Sequence, residues 1–309
     1  LKRKTTNSEY IYSYLLYTAV KYKNYKAIKL LLSQPTIDVN NLEIRNNGEK
    51  SALFKAVQKN DAEIVKLLLS RPEIDINNQS KQLAYGKSIY ESDCPLTFRW
   101  YTRCEYKKGA LQVAVENNIV KLLLSKPDID INIIAKEKHG TRVYGLSEYN
   151  YKERNPLHIA VENNNIEIVK LLLSKRGIDI NAQSQYCTYY CKFFDRHVDK
   201  LEYKTALQIA VEHENIEIVK LLLSKPNINI NIQTKEFGDY NLNSKEIFHY
   251  LKRKKTALNI AVLKNNYKII KLLLHQNSVT VDDDDKDKIF AILSSKKEKI
   301  DQLISKIKH

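Results

Sequence analysis

The chain is dominated by one short tract that recurs at long intervals. The sequence KLLLS occurs five times and KLLLH once, and each copy lies about one short helix downstream of an Ala-Val pair. A short tail follows each copy, such as PEIDIN or PNININ, in which apolar and polar residues alternate. A unit this small cannot bury its own apolar face, so its copies must stack on one another. The chain is therefore predicted to be a repeat array, an architecture that presents extended surfaces suited to binding.

Each repeat is predicted to begin with a short amphipathic helix. In the copy at 204–231, Thr205 is suited to cap this helix. Its buried side is predicted from residues three and four apart: Leu207, Ala210 and Val211. In the preceding copy, Asn155 takes the cap position and Pro156 the first helical position, where an amide donor is not needed.

A second helix is predicted to follow in the same repeat. Its buried residues are Ile218, Val219, Leu222 and Leu223. Glu217 and Lys220 are three residues apart on its outer face and are expected to pair. Pro226 ends the helix, and the alternation of the tail predicts an extended segment.

Several of these motifs resemble the ankyrin-repeat family. The family opening T-P-L-H-x-A is matched by Asn155-Pro156-Leu157-His158-Ile159-Ala160 and by Thr205-Ala206-Leu207-Gln208-Ile209-Ala210. The family's I-V-x-L-L-L second helix and its D-V-N ending recur in phase through the chain. The resemblance implies stacked helix pairs with projecting hairpins, called fingers, and surfaces that bind other proteins. It also implies a hydrogen-bonding core role for His158.

The predicted fold class is therefore all-α: an ankyrin-repeat solenoid of six helix-turn-helix units over 1–309, with enlarged hairpin fingers and a C-terminal helical cap. The repeats of this family are about 33 residues long, whereas the Ala of each Ala-Val pair recurs after 37, 58, 46, 50 and 51 residues. The excess follows the tails and is assigned to the fingers. The predicted units lie near 9–40, 50–77, 108–132, 154–181, 204–231 and 255–282; the finger inserts are 78–107, 133–153, 182–203 and 232–254; the cap is 283–309.

The third unit departs from its neighbours. It reads VENN-IVKLLL where the next repeat reads VENNNIEIVKLLL, so it is three residues shorter between its helices. Either the turn is truncated there or residues are absent from the sequence.

The C-terminal end is predicted to close the array with a degenerate helix pair. The signals are the apolar run Ile289–Leu293 and the helical spacing of Ile300, Leu303, Ile304 and Ile307. Acidic residues at 282–285 favour the start of a helix there.

Aromatic and basic residues are concentrated in the inserts. The chain holds 28 aromatic residues and a net charge of +15. Outside the inserts and the first unit, the only aromatic residues are Phe54, Tyr267 and Phe290. Tyr, Trp and Arg dominate binding hot spots. The predicted partner-binding residues are Arg99, Trp100, Tyr101, Arg103, Tyr149, Tyr151, Tyr189, Tyr190, Phe194 and Arg196. The alternative is that most of these rings pack on one another as small cores beneath the long inserts.

No catalytic or cofactor motif is evident. The chain has seven glycines and no phosphate-binding glycine loop, H-E-x-x-H or G-x-S-x-G motif. A zinc site would need Cys187, Cys191 and His197, with help from Cys94 or Cys104, but the spacing lacks the usual C-x2-C pair, so buried thiols are favoured. We therefore expect no cofactor, no metal and no enzyme.

The leading hypothesis is a protein-interaction scaffold that binds a protein partner through its fingers and the concave first-helix face. A second is polyanion binding, to RNA, DNA or an acidic surface such as the microtubule lattice, because interleaved aromatic and basic residues stack on bases and neutralise phosphates. A third is a structural subunit of a larger assembly. No apolar run reaches membrane-spanning length, and sparse cysteines favour the cytoplasm, with the nucleus as the alternative.

Overall fold

A computed structural model describes residues 7–45, 48–85, 101–115, 119–143, 146–192, 195–241 and 251–295. Contacts divide the chain into two compact units, Leu1–Pro156 with Cys191–Phe193 and Leu157–Tyr190 with Phe194–His309. Within the described residues there are thirteen helices and ten strands.

The first unit contains paired helices with hairpins between the pairs. The helices are α1 (Asn7–Lys21), α2 (Tyr25–Leu32), α3 (Ala52–Gln58), α4 (Ala62–Leu69), α5 (Ala110–Val115) and α6 (Val120–Leu124). The strands are β1 (Leu42–Arg45), β2 (Gly48–Ser51), β3 (Gln79–Tyr85), β4 (Tyr101–Gly109), β5 (Ala135–Val143) and β6 (Leu146–Arg154). First helices pack on first helices, α1 on α3 and α3 on α5, and second helices on second helices, α2 on α4 and α4 on α6.

The second unit continues the same pattern. Its helices are α7 (Pro156–Glu162), α8 (Ile166–Leu173), α9 (Ala206–Glu212), α10 (Ile216–Leu223), α11 (Ala257–Leu263), α12 (Tyr267–Leu274) and α13 (Asp283–Ser294). Its strands are β7 (Gln183–Lys192), β8 (Asp195–Thr205), β9 (Thr234–Asn241) and β10 (Leu251–Lys255). Helix α9 packs on α11, and α10 packs on both α8 and α12.

The helix core is aliphatic and depends on alanine at the first-helix contacts. Ala56, Ala114, Ala210 and Ala261 are completely buried. A methyl side chain lets adjacent first helices approach closely, and the paired Leu and Ile residues of the second helices fill the space behind them. The buried residues predicted for the repeat at 204–231 are all buried, so that prediction is confirmed.

The turns between paired helices use one repeated device. An Asn or Asp accepts a hydrogen bond from the backbone N–H three residues later and so caps the second helix; these residues are Asn24, Asp61, Asn165, Asn215 and Asn266. The residue before each cap has a positive φ between 53° and 55°: Lys23, Asn60, Asn164, Glu214 and Asn265. Asn tolerates this conformation better than most residues, which explains its frequency here.

Thr205 caps α9 as predicted. Its hydroxyl accepts from the Gln208 backbone N–H, and the Gln208 side chain accepts from the Thr205 N–H at 2.8 Å, which completes a capping box. The predicted core role of His158 is also confirmed, because its Nε2 lies 3.0 Å from the Ala182 carbonyl and the residue is 1% exposed. Glu217 was predicted to pair with Lys220. Its carboxylate instead lies 3.5 Å from Lys170 of the preceding second helix.

The tails after the second helices are turns, so the prediction of extended segments was wrong. The alternate polar residues bond to backbone instead of following a strand. The Asp75 carboxylate accepts from the Asn77 N–H at 3.0 Å. Asn77 then donates to the Asp128 carbonyl at 2.7 Å and accepts from the Asp130 N–H at 2.7 Å in the next tail. Local side-chain bonds of this kind compete successfully with strand pairing.

The same two-bond contact recurs along each unit. Asn40 bonds in this way to the tail at 73–75, Asn181 to the tail at 227–229 and Asn231 to the tail at 278–280. We call these contacts the asparagine ladder. Because each Asn both donates to and accepts from the next backbone, the ladder fixes the spacing of consecutive tails.

The inserts form β-structure, so the description all-α applies only to the helical layer. In the first unit the strands are antiparallel in the order β1-β2-β3-β4-β5-β6, and in the second unit the order is β7-β8-β9-β10. Stacked helices lie about 8–10 Å apart, which is twice the ~4.8 Å spacing of paired strands. One two-stranded hairpin per repeat therefore fills the interval, and neighbouring hairpins meet and pair.

The short third repeat has a shortened second helix. Helix α6 has five residues, whereas α4 and α8 have eight. Ile119, the residue that precedes the helix, makes no side-chain cap hydrogen bond. Compared with α4 and α8, α6 therefore lacks its first turn, and its described residues include no asparagine cap.

Helix α13 packs against α11 and α12. Its Ile289 and Leu293 are completely buried. Asn259 of α11 donates to the carboxylates of Asp282 and Asp285 at 3.0 and 2.6 Å, which joins the acidic start of α13 to the preceding repeat. The predicted apolar series from Ile300 to Ile307 lies outside the described residues.

Candidate interaction surface

Three lysines lie side by side across the strands of the first unit. Lys81 on β3 pairs in register with Lys107 on β4, and Lys107 pairs with Lys136 on β5. Glu49 and Glu153 hold the corresponding positions at the two ends of this row. Like charges directly opposite each other destabilise a sheet. The row therefore costs folding stability unless nearby acids or a partner offset it.

The outer lysines of this row are neutralised within the protein, and the central one is exposed. Lys81 forms an ion pair with Glu105 at 3.2 Å, and Lys136 forms one with Glu153 at 2.6 Å. Lys107 lies between them and is exposed. The arrangement concentrates positive charge at the middle of the sheet.

A groove of about 530 Å³ lies along this lysine row. We call it the finger groove; it is lined by four lysines, three acids, Gln79 and Tyr151, namely Lys81, Lys107, Lys136 and Lys138 with Glu49, Glu105 and Glu137. The Nζ of Lys138 lies 4.5 Å from the centre of the Tyr149 ring, a cation–π distance. Aromatic surface and accessible lysine charge are thus combined in one concavity.

The sheet is held together by a buried ion cluster at alternate positions of the same strands. Glu137 lies 2.8 Å from Lys108 and 2.6 Å from Arg154, and Glu137 is 6% exposed. Burial alone would raise the pKa of Glu137, but Arg154 and Lys108 outweigh that effect and hold the pKa below its usual value. The carboxylate is therefore ionised at neutral pH and bridges β4, β5 and β6.

Four of the predicted partner-binding residues lie on strands of the first unit. Arg103 pairs in register with Gly140, which pairs with Tyr149. Tyr101 lies two residues earlier on β4, and Tyr151 two residues later on β6. Tyr149 and Tyr151 are half-buried, and the Tyr151 hydroxyl donates to Glu153. These four positions thus lie on β4 and β6, the two strands that flank β5.

The other predicted residues belong to the second unit or lie outside the described residues. Tyr189 and Tyr190 lie on β7 and Arg196 lies on β8, all assigned to hairpins of the second unit. Arg99, Trp100 and Phe194 lie outside the described residues.

Some insert aromatics bind neighbouring elements of their own unit. The Tyr186 hydroxyl donates to Glu162 of helix α7. Lys204 lies 5.7 Å from the centre of the Tyr186 ring and 2.9 Å from Glu212 of α9. These contacts join a hairpin to first helices, as expected if part of the aromatic set serves to pack the fingers.

The cysteine cluster considered for zinc is not assembled within the described part of the chain. No group of three or more His, Cys, Asp or Glu suited to a metal ion occurs among those residues. Cys187 is a free, half-buried thiol, and burial raises its pKa. Cys94 lies outside the described residues, and Cys104, Cys191 and His197 are placed only as strand positions.

The lysine row was missed by sequence reasoning, although a signal for it exists. Lysine occurs near the insert ends, at Lys81, Lys107 and Lys136. Alternation along a strand predicts that every second residue shares a face. Whether the three lysines align depends on the pairing register between strands of different hairpins, and the sequence alone does not give that register.

The fold and the surface together define the class of protein: a helical repeat protein with projecting hairpins. The family model described as ankyrin repeats (3 copies) matches residues 4–80, 102–184 and 186–287. The chain belongs to the ankyrin-repeat family. Members of this family generally mediate protein–protein interactions and are typically not catalytic.

A solved structure shares this fold. The ankyrin repeat domain of Bcl-3, a member of the IkappaB protein family, matches with 18% identity and a TM-score of 0.50, covering 86% of each chain. The Legionella pneumophila effector AnkC matches with 12% identity and a TM-score of 0.44, covering 96% of this chain and 80% of that chain. No curated protein sequence matches the chain. Among the described residues, no helix is long and apolar enough to cross a membrane.

Proposed function

We propose that this chain is a non-catalytic protein-interaction scaffold whose fingers bind a protein partner. The observation that supports this is the lysine row of Lys81, Lys107 and Lys136 beside Tyr149 and Tyr151. The row opposes sheet formation, and binding of a negatively charged surface would offset that cost. The partner is therefore a protein with an acidic surface that lies along the finger groove.

The proposal includes the architecture that presents this groove. In this proposal the helix pairs from α1 to α12 form six repeats, with the boundaries given above as predictions, and α13 is part of a C-terminal cap. The first-helix face supplies further contact area. A cytoplasmic location, or a nuclear one, is consistent with the sparse cysteines.

The deciding variant is Lys107→Gln. It removes the central charge of the row, so folding stability should stay the same or rise, while partner binding should weaken. A residue with only a structural role would not show these opposite effects. Lys66→Gln, at an exposed lysine of helix α4, is the matched control with the same change of charge.

The experiment is a nuclease-treated pull-down at physiological salt with wild type, Lys107→Gln, Tyr149→Ala/Tyr151→Ala and Lys66→Gln. A photo-crosslinking residue placed at position 107, with position 66 as its control, tests for direct contact. We expect one protein to be captured and crosslinked through position 107 and to be lost in both groove variants. Equal capture by all four proteins would refute the finger groove as the binding surface.

Polyanion binding is the second candidate, because the same lysine row would neutralise phosphates and the tyrosines would stack on bases. It predicts a steep fall in affinity for single-stranded RNA or DNA with rising salt. Capture that disappears after nuclease treatment would favour this function over the scaffold.

A further inference from the structure

A second basic concavity lies in the second unit, between the second helices of its last two helix pairs. It has a volume of about 370 Å³ and is lined from α10 by Ile216 and Lys220. From α12 it is lined by Tyr267, Lys268 and Lys271 together with Leu272 and His275. We call it the α10–α12 cleft. Every ionisable side chain in this described lining is Lys, His or Tyr.

Comparison of helices within the chain shows how this cleft arises. Helices α8 and α10 have the same sequence, IEIVKLLL, whereas α12 reads YKIIKLLL. Between α8 and α10, Lys170 lies 3.1 Å from Glu167 and 3.5 Å from Glu217. At the position of α12 that corresponds to Glu217, the chain has Lys268. The acid that would face Lys220 one repeat later is thus replaced by a base.

Two further changes enlarge and extend the basic surface. Ile216 of α10 corresponds to Tyr267 of α12, whose ring centre lies 5.8 Å from the Lys271 Nζ. The serine that ends the other KLLLS tracts is replaced by His275. A carbonyl only accepts hydrogen bonds, so the 2.6 Å contact of His275 Nδ1 with the Lys271 carbonyl places the proton on Nδ1.

The cleft also offers apolar surface. Ile216 and Leu272 are half-buried, and so is the Tyr267 ring. A volume near 370 Å³ is within the range of about 300–1,000 Å³ typical of ligand sites. Its chemistry therefore fits a ligand with an apolar group surrounded by negative charges.

We propose that the α10–α12 cleft binds an acidic protein segment that carries an apolar anchor residue. Carboxylates spaced along such a segment meet Lys220, Lys268 and Lys271, while the anchor fills the concavity beside Ile216 and Leu272. A flat anionic lipid surface would leave the concavity unfilled, and a free phosphate would leave the apolar surface in water. The C-terminal residues 296–309 of this chain carry five lysines against Glu298 and Asp301, so their charge does not suit the site.

This inference is independent of the finger groove. The finger-groove residues belong to the first unit, and the cleft residues all belong to the second. A variant with Tyr149→Ala/Tyr151→Ala should therefore retain binding at the cleft. Loss of partner capture by the fingers and loss of cleft binding are separate outcomes.

The test uses the full chain and a fluorescein-labelled peptide, Asp-Glu-Asp-Leu-Phe-Glu-Asp-Glu, followed by fluorescence anisotropy. The informative variant is Lys268→Glu, which restores the residue of α10 and is therefore expected to fold. Lys66→Glu gives the same change in net charge away from the cleft. A second peptide with Ser-Gly in place of Leu-Phe measures the contribution of the anchor.

We expect Lys268→Glu to weaken peptide binding about fivefold or more, because one charge contact is lost and a repulsive one is gained. Lys66→Glu should change it less than about twofold. Removal of the anchor should weaken binding about fivefold. Equal losses in the two lysine variants, or no binding at millimolar peptide, would overturn the proposal. Lys268-dependent binding to phosphatidylserine vesicles without peptide binding would instead assign the cleft to lipid and overturn it as well.

Discussion

The Glu137 carboxylate lies 2.6 Å from the Arg154 guanidinium, and both residues are less than 10% exposed. Lys108 approaches the same carboxylate at 2.8 Å from β4. One acid thus pairs with two bases from the flanking strands, the buried Arg154 and the half-buried Lys108. Such a cluster is costly to disrupt at a single member, because each remaining charge loses an opposite charge in a poorly solvated environment.

Glu137→Gln is expected to lower the free energy of unfolding by about 3 kcal/mol, since Arg154 and Lys108 would then face a neutral amide in place of a carboxylate. Urea unfolding followed by circular dichroism measures the change. Glu63→Gln, at an exposed position of α4, removes the same charge and should have little effect. Similar losses in the two variants would show that the cluster does not stabilise the sheet.

The same pair predicts a pH dependence. Because the pKa of Glu137 is lowered in the folded protein, its contribution is complete above the unfolded pKa of about 4.3 and is lost as pH falls through the folded pKa. The stability difference between wild type and Glu137→Gln should therefore be constant above about pH 5.5 and shrink below about pH 4. A difference that persists unchanged to pH 3 would contradict this assignment.

His158→Gln is expected to be tolerated within about 0.5 kcal/mol, whereas His158→Leu should cost about 1–3 kcal/mol by leaving the Ala182 carbonyl without its donor. The reason is that Gln112 and Gln208 occupy the equivalent position and donate to the equivalent carbonyls at 2.7 and 2.6 Å. Thermal unfolding of the two variants provides the comparison. A glutamine variant as unstable as the leucine variant would indicate that the imidazole has a further role.

Insertion of Asn-Ile-Glu after Asn118 should lengthen α6 and supply the asparagine cap found in the other repeats. The cap alone is worth about 1 kcal/mol. The free energy of unfolding should rise by at least that amount, measured in urea. Insertion of Gly-Ser-Gly has the same length without cap or helix former, so it should give no gain.

Asn181→Ala removes both bonds of one rung of the asparagine ladder, to Asn227 and Asn229 at 2.8 Å each. We expect a loss of about 1–2 kcal/mol. Asn163→Ala, at an exposed turn residue, serves as the control for loss of an amide side chain. Hydrogen exchange at the Asn229 amide should accelerate in the first variant alone; unchanged exchange would exclude the ladder as a constraint on the tails.

The helical layer was predictable because its signals are local. A few adjacent residues determine each of these features: the apolar spacing around Ala210, the cap at Thr205 and the end of α10 before Pro226. His158 was placed correctly by its position in the repeat opening. Short-range steric and hydrogen-bonding rules were sufficient for these elements.

The tails and the sheet show where local rules fail. The IDIN alternation has strand periodicity, but the bonds of Asp75 and Asn77 to backbone favour turns. The alignment of Lys81 with Lys107 depends on two hairpins and on the distance between stacked helices. The shortened α6 shows a further limit: the sequence is three residues shorter there, which predicted a truncated turn or absent residues, and it gave no sign that the helix itself would be short.

Because one hairpin fills one repeat interval, the length of the hairpins and the sequence of the helical stack can change independently. Arms that grow by two residues on each side keep every side chain on its original face, so the reach of the fingers varies while the helices stay the same. An odd insertion exchanges the two faces and would move a lysine from the groove to the buried side. Selection is thus able to adjust the length of the binding arms in even steps without redesigning the stack that carries them.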